Sequence, residues 1–258
     1  MTIYLYGIVQ PTDGMATDTF PADVSGVTGQ VSVDRTGDLT LIYGTHDGSD
    51  ILPRRRALLA HARVLEAATD KGTVLPMRFG MTCASLDDFR ALARDAAPKI
   101  DAALARVRGC VEIGVRVQAP EEAALAAALA QSPALSRQRD RLAQTGAGSH
   151  FDKVGFGRAL GDAVATRRGA AQKQLLAGLR PFVADHVLKA PETDFEVLRA
   201  ECLIAEDRLP EVTAWLEEAV AGLDFAAPTP CTAQIVGPGP AFHFVDLALD
   251  APPAASVA

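Results

Sequence analysis

Apolar and polar positions alternate from Ile3 to Val9, placing Tyr4, Tyr6 and Ile8 on one face of a strand and Leu5, Gly7 and Val9 on the other. Gln10 to Val27, rich in Pro, Gly, Asp and Thr, reads as a loop. Two more strand-like runs, Gln30 to Arg35 and Leu39 to Tyr43, flank Thr36-Gly37-Asp38. That spacing predicts a hairpin with glycine at a positive-φ position. The period then lengthens: Leu58, Leu59, Ala62, Leu65 and Ala68 recur at helical spacing behind Ile51-Leu52-Pro53, and Lys71-Gly72 supplies a stop.

A short apolar run from Thr73 to Leu75 predicts another strand, which Pro76 ends and Gly80 allows to turn. Arg78 and Phe79 sit on the fixed corner between these two breakers. Ser85-Leu86-Asp87-Asp88 follows as a capping box, with Ser85 as N-cap and Asp88 reaching back. The helix it opens runs through Phe89, Leu92 and Ala96, and Pro98 should split it before Ile100, Leu104 and Val107. Cys110 to Val117 alternates again, with Val111, Ile113, Val115 and Val117 opposite Glu112, Gly114 and Arg116. Strands, helix, short strand, helix and strand make an α+β unit with helices on one face of a mostly antiparallel sheet, resembling a modified ferredoxin-like unit.

The stretch from Ala119 to Gly148 reads as a helical connector ending at Thr145-Gly146-Ala147-Gly148. A long helix is expected from Phe151 to about Leu188, with Val164, Ala171, Leu175, Leu179, Phe182 and Val183 on one stripe and a bend at Pro181. A strand from Phe195 to Ala205, a helix from Leu209 to Leu223, and strands from Cys231 to Val236 and Ala241 to Leu249 complete the chain, with a short frayed tail from Ala251 to Ala258. The fold class is α+β: two ferredoxin-like α+β units with mostly antiparallel sheets, joined by helical segments. The expected boundaries are an N-terminal domain over 1–118, a helical connector over 119–190 and a C-terminal unit over 191–258, with 119–258 forming one C-terminal domain.

Composition changes this picture little. The chain has 258 residues, enough to bury roughly 70–75% of its unfolded surface without staples. Its net charge of −7 disfavours nucleic acid and anionic membranes as partners. Arg54-Arg55-Arg56 and the basic run from Arg137 to Arg141 read as solvated helix faces. The start has neither the basic n-region nor the h-region of a signal peptide, and the Ala-rich stretch near 121–130 is too short to span a bilayer, so a cytoplasmic protein is expected. Cys83, Cys110, Cys202 and Cys231 are widely separated, which favours buried thiols over a disulfide frame or a zinc site.

Candidate chemistry is sparse. The five histidines, His46, His61, His150, His186 and His243, form no H-x-x-x-H pair, so no metal site is expected. His61 stands out because it borders the core-facing side of its helix. Gly155-Phe156-Gly157-Arg158-Ala159-Leu160-Gly161 lacks the preceding strand and the G-K-[ST] of a phosphate loop, and reads instead as glycines that let another helix approach. Asp87-Asp88 is explained by N-terminal capping. No G-x-S-x-G elbow is present, and Cys83 precedes a helix without a placed histidine partner. Catalytic residues and cofactors are therefore expected to be none. Arg78 and Glu112 are the charges to pair: a contact between them would lock the corner to the sheet, the alternative being that each faces water. Phe79 is either core or an exposed anchor.

Several segments resemble one family in the right order along essentially the whole chain. Tyr4-Leu5-Tyr6-Gly7-Ile8-Val9, His61 with Val64-Leu65, and above all Leu75-Pro76-Met77-Arg78-Phe79-Gly80 resemble the gas vesicle protein F/L family. Gly109-Cys110-Val111-Glu112, Phe151-Asp152-Lys153 and Gly237-Pro238-Gly239-Pro240-Ala241-Phe242-His243-Phe244-Val245 are similar to further segments of it. The last departs from the family's G-P-W-P-P-Y-S-F-V: Gly239 stands for tryptophan, Ala241 for proline, Phe242 for tyrosine and His243 for serine.

The resemblance implies a non-enzymatic minor structural or assembly protein of gas vesicles, located in the vesicle and the cytoplasm. It implies binding of the hydrophobic shell protein through the N-terminal domain, which would keep that protein from aggregating, and contacts with other accessory gas vesicle proteins. Tyr4, Tyr6, His61, Arg78, Phe79 and Glu112 are the candidate partner-binding or fold-critical residues. A ferredoxin-like module binding a small molecule is the alternative from the fold, and an enzyme using Cys83 or His61 is a third reading.

Overall fold

The structure, a computed structural model, describes residues 2–12, 19–145 and 150–247. Two compact units divide the chain: Met1–Glu112 with Pro238–Ala258, and Ile113–Gly237. Parts of the expected loop from Gln10 to Val27, the connector's glycine-rich end and the expected frayed tail lie outside the described residues.

The first unit carries a sheet of β1 (Thr2–Pro11), β2 (Val31–Thr36), β3 (Leu39–His46), β4 (Gly72–Pro76) and β5 (Thr82–Cys83). Its order is β2-β3-β1-β4, with β5 also pairing β1. Thr36 pairs with Leu39, so the hairpin turns on Gly37-Asp38, and Gly37 has the expected positive φ of 62°.

Strict alternation along β1 fails at one point. Leu5 pairs with Tyr43 but Gly7 pairs with Ile42, leaving Tyr6 as the extra residue of a β-bulge. The bulge resets the period, so Tyr4, Tyr6 and Val9 join one core cluster, and Ile8 does not follow Tyr6. That cluster also holds Ile42, Val74 and, from helix α1 (Arg55–Thr69), Val64, Leu65 and Ala68. Leu5 and Ile8 are buried as well, so both faces of β1 are covered.

The buried residues of α1 are His61, Val64, Leu65 and Ala68. Leu58 and Leu59, expected on the core stripe, are instead 43% and 46% exposed. After β4, the chain passes through a turn closed by the Met81 N–H on the Arg78 carbonyl, with Gly80 at φ +86°. A two-residue strand, β5, intervenes before the next helix where the sequence suggested a direct entry. Helices α2 (Leu86–Asp95) and α3 (Ala97–Val107) divide at Ala96 with Pro98 in the first turn of α3. Ser85 caps α2 by accepting the Asp88 N–H at 3.1 Å, and its hydroxyl donates to the Asp88 carboxylate at 2.6 Å.

The second unit is built on a sheet ordered β7-β8-β6-β9, from β6 (Cys110–Gln118), β7 (Val183–Leu188), β8 (Glu196–Ala205) and β9 (Thr232–Gly239). Both sheets are antiparallel, as the α+β reading requires. Its helices are α4 (Glu121–Gln131), α5 (Pro133–Thr145), α6 (His150–Leu179) and α7 (Leu209–Ala221). Val164, Ala171, Leu175 and Leu179 of α6 are buried, as are Val212, Leu216 and Val220 of α7.

Two expected elements are corrected. The long helix ends at Leu179 instead of bending at Pro181, because the ring denies the next turn a backbone donor. Beyond it the pattern of Val183, Asp185 and Val187 is strand-like, and these residues are half-buried while their neighbours are exposed. At the other end, β9 runs through Pro238 to Gly239, which an edge position tolerates. No strand forms over residues 241–247. The Phe242 and Phe244 N–H groups instead bond the Pro240 and Ala241 carbonyls in a turn, and residues 248 and 249 lie outside the described set.

Candidate functional site: an aromatic cluster behind an exposed arginine

The first unit gathers Tyr4, Tyr6, His61 and Phe79 into one cluster. Tyr4 and Tyr6 approach edge-on with centroids 4.7 Å apart, and Tyr6 stacks on His61 at 5.5 Å. Phe79 meets the edges of Tyr4 at 6.2 Å and His61 at 5.8 Å. Such contacts contribute about 0.5–1.5 kcal/mol each beyond area burial. Alternation along β1 puts both tyrosines on the same side, and the bulge at Tyr6 adds Val9 to that side in place of Ile8.

The polar atoms of this cluster are accounted for. His61 Nε2 lies 3.1 Å from the Met77 carbonyl, which can only accept, so Nε2 carries the proton. Nδ1 then accepts from the Tyr4 hydroxyl at 2.8 Å, and that hydroxyl accepts the Gly80 N–H at 3.2 Å. The Tyr6 hydroxyl accepts the Val27 N–H at 2.6 Å. Gly26 lies against that same hydroxyl, where a Cβ atom would collide with it. Burial pushes both phenols above their ordinary range and disfavours the charged form of His61, lowering its pKa. The cluster is a neutral, satisfied core network in which both nitrogens of His61 are engaged.

Its role is to hold the corner. Through Met77 and Gly80, His61 and Tyr4 grip the backbone on both sides of Arg78 and Phe79. Met77 is buried, Phe79 is half-buried, and the Arg78 side chain projects with 73% of its surface exposed. Phe79 is thus neither fully buried nor fully exposed, and packs against Tyr4 and His61.

Arg78 and Glu112 do not pair with each other. Arg78 meets Asp246 at 2.6 Å in an exposed ion pair. Glu112, buried on β6, accepts the His243 backbone N–H at 2.8 Å and faces His243 Nδ1 at 2.7 Å. Glu112 is buried while Arg78 stays exposed, and the segment after β9 supplies a partner to each. It also buries Ala241, Phe244 and Leu247. His243 and Asp246 are not among the site residues the sequence suggests. The one signal was that His243 departs from the resembling motif.

Outside this site, Cys83, Cys202 and Cys231 are buried, Cys110 is half-buried, and no disulfide joins any of them. Gly155, Gly157 and Gly161 lie inside α6, and a Cβ built on any of them meets nothing within 4 Å. The expected helix approach therefore does not occur at these glycines. No helix among the described residues is long and apolar enough to cross a membrane.

This two-sheet α+β architecture is that of solved gas vesicle proteins. It is similar to the crystal structure of GvpF from Anabaena sp. PCC7120, with a TM-score of 0.78 at 20% identity, covering 96% of this chain and 99% of that one. It is also similar to GvpF from Microcystis aeruginosa, with a TM-score of 0.69 at 21% identity over 95% and 99% of the two chains. Residues 2–246 match the family described as gas vesicle synthesis protein GvpL/GvpF, and the chain belongs to that family. Among individual sequences, gas vesicle protein F of Streptomyces sp. (strain CB03234) is 26% identical over 95% of this chain and the whole of the relative. Gas vesicle protein F of Microcystis aeruginosa (strain PCC 7806) is 25% identical over 83% and 87%. Membership supports a gas-vesicle-related role.

Proposed function

We propose that the chain acts as a non-enzymatic minor structural or assembly component that binds the hydrophobic shell protein of the gas vesicle through its N-terminal domain, residues 1–118. By covering an apolar face of that subunit, it keeps the subunit from aggregating before it joins the wall. The helical connector and C-terminal unit set orientation or meet other accessory gas vesicle proteins, in the vesicle and the cytoplasm. The observation that carries this reading is the rigid display of Arg78 and half-buried Phe79 on a corner gripped by Tyr4 and His61. A surface held this firmly loses little conformational entropy on binding. His61, with both nitrogens engaged, has no free position for proton transfer to a substrate.

Co-sedimentation of the full chain with purified shell protein tests the reading. Saturable binding that falls about tenfold or more in the Arg78→Ala, Phe79→Ala double variant, with circular dichroism unchanged, is the expected result. Absence of binding by the unaltered chain would overturn shell-protein capture. Undiminished binding by the folded variant would remove the corner from the interface.

A further inference from the structure

The start of α1 carries a surface that neither the core nor the Arg78 corner uses. Of the eight large hydrophobic side chains exposed among the described residues, three lie within eight positions: Leu52 at 53%, Leu58 at 43% and Leu59 at 46%. At 100° per residue, Leu58, Ala62, Arg55 and Leu59 occupy one sector of α1 beside the buried sector of His61, Val64, Leu65 and Ala68. The helical periodicity that made Leu58 and Leu59 look like core thus describes a second apolar flank, left uncovered.

Charge singles out the same place. Arg54, Arg55 and Arg56 are exposed, and none makes an ion pair or side-chain hydrogen bond among the described residues. Asp47 and Asp50 line a groove with Leu52 and Arg54, yet the Asp47 carboxylate is turned to the Ser49 N–H. The first turn of α1 contains no acidic residue. Cations at that end of a helix oppose the macrodipole by about 0.3–1 kcal/mol each, so this arrangement costs the isolated fold stability. A chain of net charge −7 nevertheless concentrates three unpaired cations around its exposed leucines.

We propose that Leu52, Leu58 and Leu59, framed by Arg54, Arg55 and Arg56, form a docking surface for an acidic amphipathic helix of a partner protein. The leucine flank of α1 accepts an apolar stripe of i, i+3, i+4 spacing, as helix faces pack ridge into groove. The arginines require carboxylates along the edge of that stripe, and their fork geometry favours bidentate pairing. An anionic bilayer offers the same charge, but three cations contribute only about 1 kcal/mol each there and the acidic chain as a whole is repelled. The surface excludes Arg78 and Phe79, so it goes beyond the shell-protein proposal and stands without it.

The test measures binding of the full chain to a fluorescent designed helix with a leucine stripe flanked by glutamates, by anisotropy. The same helix with lysine in place of glutamate, and phosphatidylserine vesicles, serve as comparisons. The expected result is saturable binding of the glutamate helix that weakens as salt rises, and no binding of the lysine helix. The Arg54→Glu, Arg55→Glu, Arg56→Glu variant should lose about tenfold or more in affinity, and so should Leu58→Ser with Leu59→Ser. All five positions are exposed, and circular dichroism checks that the fold is kept. Absence of binding, equal binding of both helices, or full retention in either variant would overturn the proposal. Vesicle binding without helix binding would assign the surface to a membrane instead.

Discussion

Glu112 takes two hydrogen bonds from a single residue 131 positions away, the His243 N–H at 2.8 Å and its Nδ1 at 2.7 Å. The carboxylate is buried on the face of β6 opposite Ile113, Val115 and Val117, and its desolvation is offset by bonds from one short segment. Together with the Arg78–Asp246 pair, this contact ties residues 238–247 to the first unit.

Replacing His243 by Ala leaves the Glu112 carboxylate short of one charge-assisted partner and should destabilise the protein by about 1–3 kcal/mol. Breaking the exposed Arg78–Asp246 pair with Asp246→Ala should cost about 0–1 kcal/mol. Urea denaturation of the two variants checks this order, and equal losses would contradict it. Amide exchange in 241–247 should quicken more in His243→Ala.

The buried His61 makes stability depend on pH with a definite sign. Its folded pKa lies below the ordinary 6.5, so below that value the unfolded chain binds the proton more readily. Its contribution is full above pH 6.5 and falls as pH drops from there towards the folded pKa, by up to about 1.4 kcal/mol per pH unit. Denaturation at a series of pH values should show this slope reduced in His61→Gln. An unchanged slope would assign it to other groups.

A methyl group at Gly7 would meet the Leu75 carbonyl oxygen at 2.8 Å and Leu65 Cδ2 at 2.9 Å. The leucine tip can move, but the backbone oxygen of a paired strand cannot. Gly7→Ala should therefore destabilise by about 1–3 kcal/mol. Thermal melting of the variant is the check, and a neutral substitution would mean that β1 and β4 separate freely at this point.

Helical glycines in the second unit should respond in opposite directions. Gly178 faces the ring of Trp215, which also lies 5.5 Å from Phe182, while Arg208 covers Phe182. Gly178→Ala should displace the indole and destabilise by about 1–3 kcal/mol. Gly157→Ala and Gly161→Ala, with open space around them, should each stabilise by about 0.5–1 kcal/mol through helix propensity. Indole fluorescence should shift in the first variant and stay fixed in the other two.

Local signals in the sequence were enough for the hairpin at Gly37-Asp38, the Ser85 cap, the division of α2 from α3 at Pro98 and the buried alternation of β6. Each depends on residues within a few positions of one another, where backbone sterics and side-chain capping act. His61 on the core side of α1 was legible in the same way. The Leu75–Gly80 corner could be read as a breaker-bounded turn, and its resemblance to one family was specific enough to identify the chain.

What only the tertiary structure decided involves groups far apart in sequence. The bulge at Tyr6 depends on β3 and moves Val9, in place of Ile8, to the side of the two tyrosines. The partners of Arg78 and Glu112 come from the segment after β9, a segment whose proline-rich entry gives no local hint of where it docks. Leu58 and Leu59 share the helical period of the core but not its cover, because periodicity sets angle around a helix while burial is set by what packs against it. The open glycines of α6 show the same division. Sequence determined the conformations the backbone favours and which faces are apolar; tertiary packing decided which of those faces are covered and which charges meet, since both depend on long-range geometry that no local pattern encodes.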